Sequence, residues 1–426
     1  MSKIVSLKAI EILDSRGTPT IEVQLKLSSG EQVNAKVPSG ASTGVNEALE
    51  LRDQDPSRYF GKGVLTAIAH VEGPLFSLLQ NKSVESQRDL DEAMIALDAT
   101  PNKENLGANA ILGVSLSIAR ARALVFKKPL YASILEEPSF RLPCPMMNLL
   151  NGGAHADSSL DFQEFMICPH GFDRFSLALR AGAEVFFHLK KILKKKGLST
   201  GVGDEGGFAP QIESDRKALE LLLEAIRAAG YDEKRIGIAL DCAASEFYDG
   251  TEKKYVEKKK KNQNLPFASR TTSEQITYLK ELKKAGPILS IEDPLAEDDW
   301  DGWSQITASM PDTMIVGDDL YVTQLKYLQR GIKEKSSNAI LIKLNQVGTL
   351  SETLDAIDLA KKNHFKTIIS HRSGETEDPF IADLAVATNS LWIKTGSLCR
   401  SERTSKYNRL LEIESELGPK ATFAGF

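Results

Sequence analysis

The sequence predicts an α/β protein in which a (β/α)8 barrel of the TIM type follows a smaller α+β domain. The first sign is a set of short apolar runs that each end in a carboxylate: IGIALD ending at Asp241, LSIE ending at Glu292 and MIVGD ending at Asp318. The second is their spacing, which continues for about 25 residues to Lys343 in AILIKLN, about 28 to His371 in TIISH and about 23 to Lys394 in LWIKT. Intervals of that length, with helical patterns between fully apolar strands, are those of βα units in a parallel sheet. In such a barrel the active site lies at the strand C-termini. Asp241, Glu292, Asp318, Lys343, His371 and Lys394 therefore mark the rim where chemistry belongs.

Taken in order, Thr20 to Leu27 (TIEVQLKL) alternates apolar and polar residues, Ser28-Ser29-Gly30 turns the chain, and Val33, Ala35 and Val37 resume the alternation. This predicts an antiparallel hairpin. Pro38 opens PSGASTG, a loop of small residues whose hydroxyls and backbone can surround an anion or a metal. Helical periodicity then runs near 62–80, 84–98 and 105–126, the last segment apolar on most sides and so predicted to be buried. Strands followed by helices make residues 1–138 an α+β unit, and Glu136-Glu137-Pro138 suggests the boundary to a barrel over 139–426. MMNLLNGG from Met146 and QEFMICP from Gln163 lie too close together for a helix between them, so the barrel is expected to begin with a hairpin. A helix is predicted over Leu177–Lys196, and another over Ser214–Ala229, stopped by Gly230. Between them GVGDEGGFAP sets four glycines around Asp204 and Glu205. The basic run EKKYVEKKKKNQN from Glu252 reads as a solvated hairpin or loop.

Length and composition bound the function. A chain of 426 residues with 42% hydrophobic and 26% charged residues suits two globular domains. The 53 basic and 58 acidic residues leave a net charge of −5, which argues against nucleic acid as the main partner. Four widely spaced cysteines, without a CxxC pair, predict free thiols in a reducing compartment. The N-terminus lacks a signal-peptide core, and the apolar runs fall short of the roughly 20 residues that span a bilayer. A soluble cytoplasmic protein is expected, with surface display or secretion without a signal peptide left open.

Three carboxylates without cysteine ligands favour a hard cation bound through oxygen, and Mg²⁺ suits a site completed by phosphate. Lys343 and Lys394 each interrupt an apolar strand. A lysine beside a divalent metal and a second lysine is expected to have a lowered pKa and to act as a base. Arg372 and Ser373 supply donors for a phosphate. Together these groups suit proton abstraction beside a carboxylate and loss of a leaving group. A unit charge pair about 4 Å apart at an effective dielectric near 20 is worth roughly 4 kcal/mol. One divalent ion then offers on the order of 8 kcal/mol to the added charge, and two about 16, against barrier reductions of roughly 8 to 23.

The chain resembles the enolase family. The likeness is carried by LDSRGTPTIEV, PSGASTG, LGANAILGVS, NGGAHAD, QEFM, GDEGGFAP, ALDCAASEF, SIEDP, GDDL, LIKLNQVGT, SHRSGETED, IKTG and RSER, from Leu13 to Arg403. The resemblance implies a barrel that starts ββαα, and a lyase that reversibly dehydrates 2-phosphoglycerate to phosphoenolpyruvate in glycolysis and gluconeogenesis with two Mg²⁺ per site. It implies that Asp241, Glu292 and Asp318 bind one Mg²⁺ and that Ser42, with the substrate phosphate, binds the second. It makes Lys343 the base and Glu205 the acid. Lys394 would contact the substrate carboxylate, Arg372 and Ser373 the phosphate, while His155, Gln163, Glu164 and His371 would line the pocket. At least a homodimer is implied. The phosphate-directed Ser42, Arg372 and Ser373 argue against a superfamily relative acting on sugar acids, and a purely adhesive or scaffolding role would not need the full catalytic set. The variations after His155 and around Cys399 touch no assigned role.

Overall fold

In the computed structural model, which describes residues 2–40 and 46–425, the chain opens with a three-stranded antiparallel sheet. Its strands are β1 (Ile4–Leu13), β2 (Pro19–Leu27) and β3 (Gln32–Lys36), with β2 in the middle. The predicted hairpin is β2–β3, in a register that pairs Val23 with Ala35. β1 was not legible because a register shift between Ile4 and Ser6 breaks its alternation, so that Ile4 and Leu7 both face inward. Helices α1 (Leu65–Leu79) and α3 (Ala108–Val125) cover the sheet, and α2 (Gln87–Asp98) packs against α3. α1 widens into a π turn over Val71–Leu75 around Pro74, which has no N–H to give the ladder.

By length and composition α3 could cross a bilayer, which the sequence reading did not anticipate. Here it is a core helix, buried on most sides between the sheet and the barrel. Gly113 lets it sit this close, since a Cβ there would stand 2.5 Å from Cγ2 of Val23.

The expected barrel follows as a closed eight-stranded sheet. Its strands are β4 (Cys144–Asn151), β5 (Glu164–Cys168), β6 (Gly237–Asp241), β7 (Ile288–Glu292), β8 (Met314–Gly317), β9 (Ala339–Ile342), β10 (Lys366–Ser370) and β11 (Trp392–Lys394). β5 is antiparallel to both β4 and β6, the other pairs are parallel, and β11 closes onto β4. Helices α4 (Phe175–Lys195) and α5 (Asp215–Ala228) both follow β5, which gives the ββαα start. Later crossovers carry α6 (Thr272–Ala285), α7 (Trp300–Ser309), α8 (Leu325–Glu334), α9 (Leu350–Lys362) and α10 (Phe380–Ala387), and α11 (Ser401–Leu417) comes last. Some helix starts are capped by side chains: Ser214 accepts from the Lys217 N–H, and Thr271 forms a capping box with Glu274. The basic run supplies Lys254–Val256, which pairs antiparallel with Tyr248–Asp249 as the expected hairpin, and then a short helix, Lys258–Asn262, that was not expected. Glu257 steadies it by pairing with Lys260 and Arg270.

The first unit is fastened over the barrel rim. Ser39 and Gly374 exchange backbone hydrogen bonds of 2.7 and 2.9 Å, and Arg120 grips Asp378 through both terminal nitrogens. These contacts hold the chain before residue 41 against the segment that carries Arg372 and Ser373.

Candidate active site

Parallel strands deliver their last residues to one rim. Asp241, Glu292 and Lys394 end β6, β7 and β11, while Asp318, Lys343 and His371 directly follow β8, β9 and β10. β5 runs the opposite way, so its first residue reaches the same rim: Glu164 lies opposite Asp241 on one side and Asn151 on the other. Glu205 arrives from a tight loop in which Gly203 donates its N–H to the Gly207 carbonyl. Gly206 there has φ +87°, and a Cβ on it would meet the Cys399 carbonyl at 2.7 Å.

The result is a narrow cleft with a cavity volume of about 30 Å³. His155, Gln163, Glu164, Glu205, Asp241, Asp318, Lys343, His371, Arg372, Ser373 and Lys394 all line it. Glu292 lies behind the Lys394 ammonium instead of on the wall, and Ser42 falls outside the described residues. Sequence reading missed Glu246, Asp293 and Asp319 on the lining. Asp319 had a signal, as the second acid of GDDL. Asp293, beside Glu292, had one too.

Each ammonium is paired with acid. Lys394 Nζ lies 2.8 Å from Asp241 Oδ2, 2.8 Å from both Glu292 oxygens and 3.0 Å from Glu164 Oε1. Lys343 Nζ donates to Asp318 Oδ2. Burial pulls Lys343 down, but Asp318 outweighs it and the ammonium sits above its ordinary value. That differs from the lowered lysine expected from sequence, which reckoned with a second lysine and a metal and not with a carboxylate in direct contact. Gln163 Nε2 donates to Asp241 Oδ2 at 3.2 Å. Arg372 Nη1 reaches Glu47 Oε2 and Asn345 Oδ1, each at 2.8 Å.

Glu205 accepts from Asn148 Nδ2 at 3.0 Å, and its Oε1 faces His155 Nδ1 at 3.4 Å and His371 Nε2 at 3.3 Å. Burial would raise this carboxyl, but the two imidazoles and Arg403 outweigh it and hold the group well below the usual range.

A profile of the enolase C-terminal TIM barrel domain matches residues 139–426, and one of the enolase N-terminal domain matches residues 4–134. The chain belongs to the enolase family. It is an enolase-type enzyme of the lyase class, and the family implies a small-molecule substrate and a divalent metal.

The residues present fit such a cation. Seven carboxylates line the enolase-type cleft (Glu164, Glu205, Asp241, Glu246, Asp293, Asp318 and Asp319) against three cations, Lys343, Arg372 and Lys394. Burial first, and neighbouring acids second, push Glu292 and Asp293 well above the usual carboxylate range and Asp319 up to about 8. Such acids are short of positive charge, and an all-oxygen donor set suits a hard ion. Ligand oxygens of Asp293, Asp318 and Asp319 already lie within 4.8 Å of one another, as do ligand atoms of His155, Glu164 and Glu205. Of the expected trio, Asp241 and Glu292 turn to Lys394, and Asp318 turns to Lys343. Buried carboxylates take the nearest countercharge.

Proposed function

We propose that this enzyme is an enolase that converts 2-phosphoglycerate reversibly to phosphoenolpyruvate and water. The observation that carries the reading is that Lys343 and Glu205, a base and an acid on separate segments, line one cleft rich in carboxylates. Asp241, Glu292 and Asp318 would hold one Mg²⁺, and Ser42 with the substrate phosphate a second. When bound, the two ions supply electrostatic stabilisation for the charge that develops on the substrate carboxylate.

Asp318, with a cation to hold beside its neighbours, would be drawn off Lys343, whose ammonium is then disfavoured. The neutral Lys343 Nζ takes the proton from C2, so that the C–H bond breaks and its electron pair stays on the substrate. Glu205 then delivers a proton to the C3 hydroxyl, the C–O bond breaks and a C2–C3 double bond forms as water leaves. Glu205 is ionised before substrate enters, and the incoming phosphate and carboxylate raise its pKa because like charges disfavour ionisation. Lys394 positions the substrate carboxylate, and Arg372 and Ser373 hold the phosphate. His155, Gln163, Glu164 and His371 enclose the reacting carbons. We further propose a homodimer that acts in the cytoplasm, in glycolysis and gluconeogenesis.

Formation of phosphoenolpyruvate from 2-phosphoglycerate, followed by its ultraviolet absorbance, tests the reading. Activity should require Mg²⁺ and disappear with chelator. Full activity in metal-free buffer, or turnover of sugar acids in place of 2-phosphoglycerate, would overturn it.

A further inference from the structure

Arg403 lies on α11 and is 0% exposed, yet its guanidinium reaches the rim of the cleft. Two backbone carbonyls set its plane: Nη1 donates to the Arg372 carbonyl and Nη2 to the Ser373 carbonyl, each at 2.7 Å. In that orientation Nη1 also stands 2.5 Å from Nδ1 of His371. A guanidinium carries donors only and does not lose its proton in proteins. Nδ1 of His371 must therefore be the acceptor of this pair. A neutral imidazole has one N–H, so the proton sits on Nε2, which faces Glu205 Oε1 at 3.3 Å.

The surroundings oppose a second proton. An N–H on Nδ1 would point at the N–H of Arg403, and burial, Arg403, Lys394 and Lys343 all press the ring toward neutrality, with Glu205 alone pulling the other way. The ring is 2% exposed, so a charge on it would be poorly hydrated.

We infer that Arg403 is a positioning residue that locks His371 as the neutral tautomer protonated on Nε2, so that the ring turns its one N–H toward Glu205 and never serves that carboxyl as a proton acceptor. The meaning for catalysis rests on Glu205 being the acid proposed above; the tautomer does not.

The test is a two-bond ¹H–¹⁵N correlation spectrum of full-length, Mg²⁺-loaded protein labelled in histidine, with His371 assigned by the signals lost in His371→Gln. The expected wild-type result is an unprotonated Nδ1 and a protonated Nε2, unchanged from about pH 5 to about 8, the range in which an ordinary histidine titrates. Arg403→Lys, which keeps a donor and no acceptor, should preserve that pattern. Arg403→Met should give a ring that exchanges tautomers and titrates. A proton on Nδ1 in the wild type, or titration of His371 across that range, overturns the inference even if neither variant folds. Turnover is not read, so a wrong tautomer leaves the proposed reaction standing. A protein with the right tautomer that makes no phosphoenolpyruvate overturns only the reaction.

Discussion

Lys394→Met should expose how strongly the site depends on countercharge. The wild-type ammonium is 3% exposed and touches Asp241, Glu292 and Glu164 at 2.8 to 3.0 Å, so the substitution keeps the apolar stem and strips three buried acids of their shared cation. Removing one partner of a buried pair costs about 3–5 kcal/mol. The acids can escape part of that cost by taking up protons. Glu164 and Glu292 already lie well above the usual range, first through burial and then through their acidic neighbours. A carboxyl raised above its unfolded value binds extra protons in the folded state, so its penalty is absent at low pH and grows as pH rises through the folded value. A divalent cation answers the same deficit, and at a hundredfold excess over Kd it contributes about 2.7 kcal/mol. Denaturant unfolding in chelator should place Lys394→Met about 3–5 kcal/mol below wild type at pH 8. The gap should narrow near pH 5, and Mg²⁺ should stabilise the variant more than the wild type. Equal stability in chelator at pH 8, or a gap that widens with Mg²⁺, would refute the reasoning.

Asp215 lies outside the cleft and reports mainly burial. Desolvation pushes it up to about 6 from 3.8, against a hydrogen bond of 2.7 Å from the Tyr278 hydroxyl. Holding it ionised above that value costs the fold roughly 3 kcal/mol, a cost that fades as pH falls toward 3.8. Asp215→Asn, which can still accept from Tyr278, should stabilise the protein by up to about 3 kcal/mol at pH 8 and by little near pH 4. A stabilisation that is equal at both pH values would count against the assignment. Gly206→Ala should cost about 1–3 kcal/mol in unfolding and about 10²-fold in kcat, because a left-handed turn set against the Cys399 carbonyl positions the neighbouring Glu205. Wild-type turnover in this variant would show that the turn does not set that carboxylate.

Much of the architecture was legible because its signals are local. Apolar runs ending at Asp241, Glu292 and Asp318 reveal buried strands by composition, and their spacing reveals the crossovers. β1 was hidden by its bulge, and the Lys258–Asn262 helix by a lysine run whose partners, the Glu246 and Ala156 carbonyls that accept from Lys258 and Lys259, are supplied by the fold. In the site, strand-end position pointed to the residues that the structure brings together, but not to their pairings. Which carboxylate meets which ammonium is set by rim geometry, so the upward shift of Lys343 by Asp318 could not be read from spacing. Arg403 was equally hidden, since a charged residue in a polar helix N-terminus gives no sign of complete burial. The link between Glu47 and Arg372 joins positions 325 residues apart, which no local pattern encodes.

The central claim is that Lys343 removes the C2 proton and Glu205 supplies the proton that leaves with the C3 hydroxyl. The most direct measurement compares deuterium incorporation at C2 of 2-phosphoglycerate in heavy water with phosphoenolpyruvate formation, in folded, Mg²⁺-loaded Glu205→Gln and Lys343→Ala. Glu205→Gln should lose dehydration by about 10² to 10⁴-fold, as for a missing general acid, and still exchange the C2 hydrogen. Lys343→Ala should lose both. Exchange lost in Glu205→Gln and kept in Lys343→Ala would contradict the account.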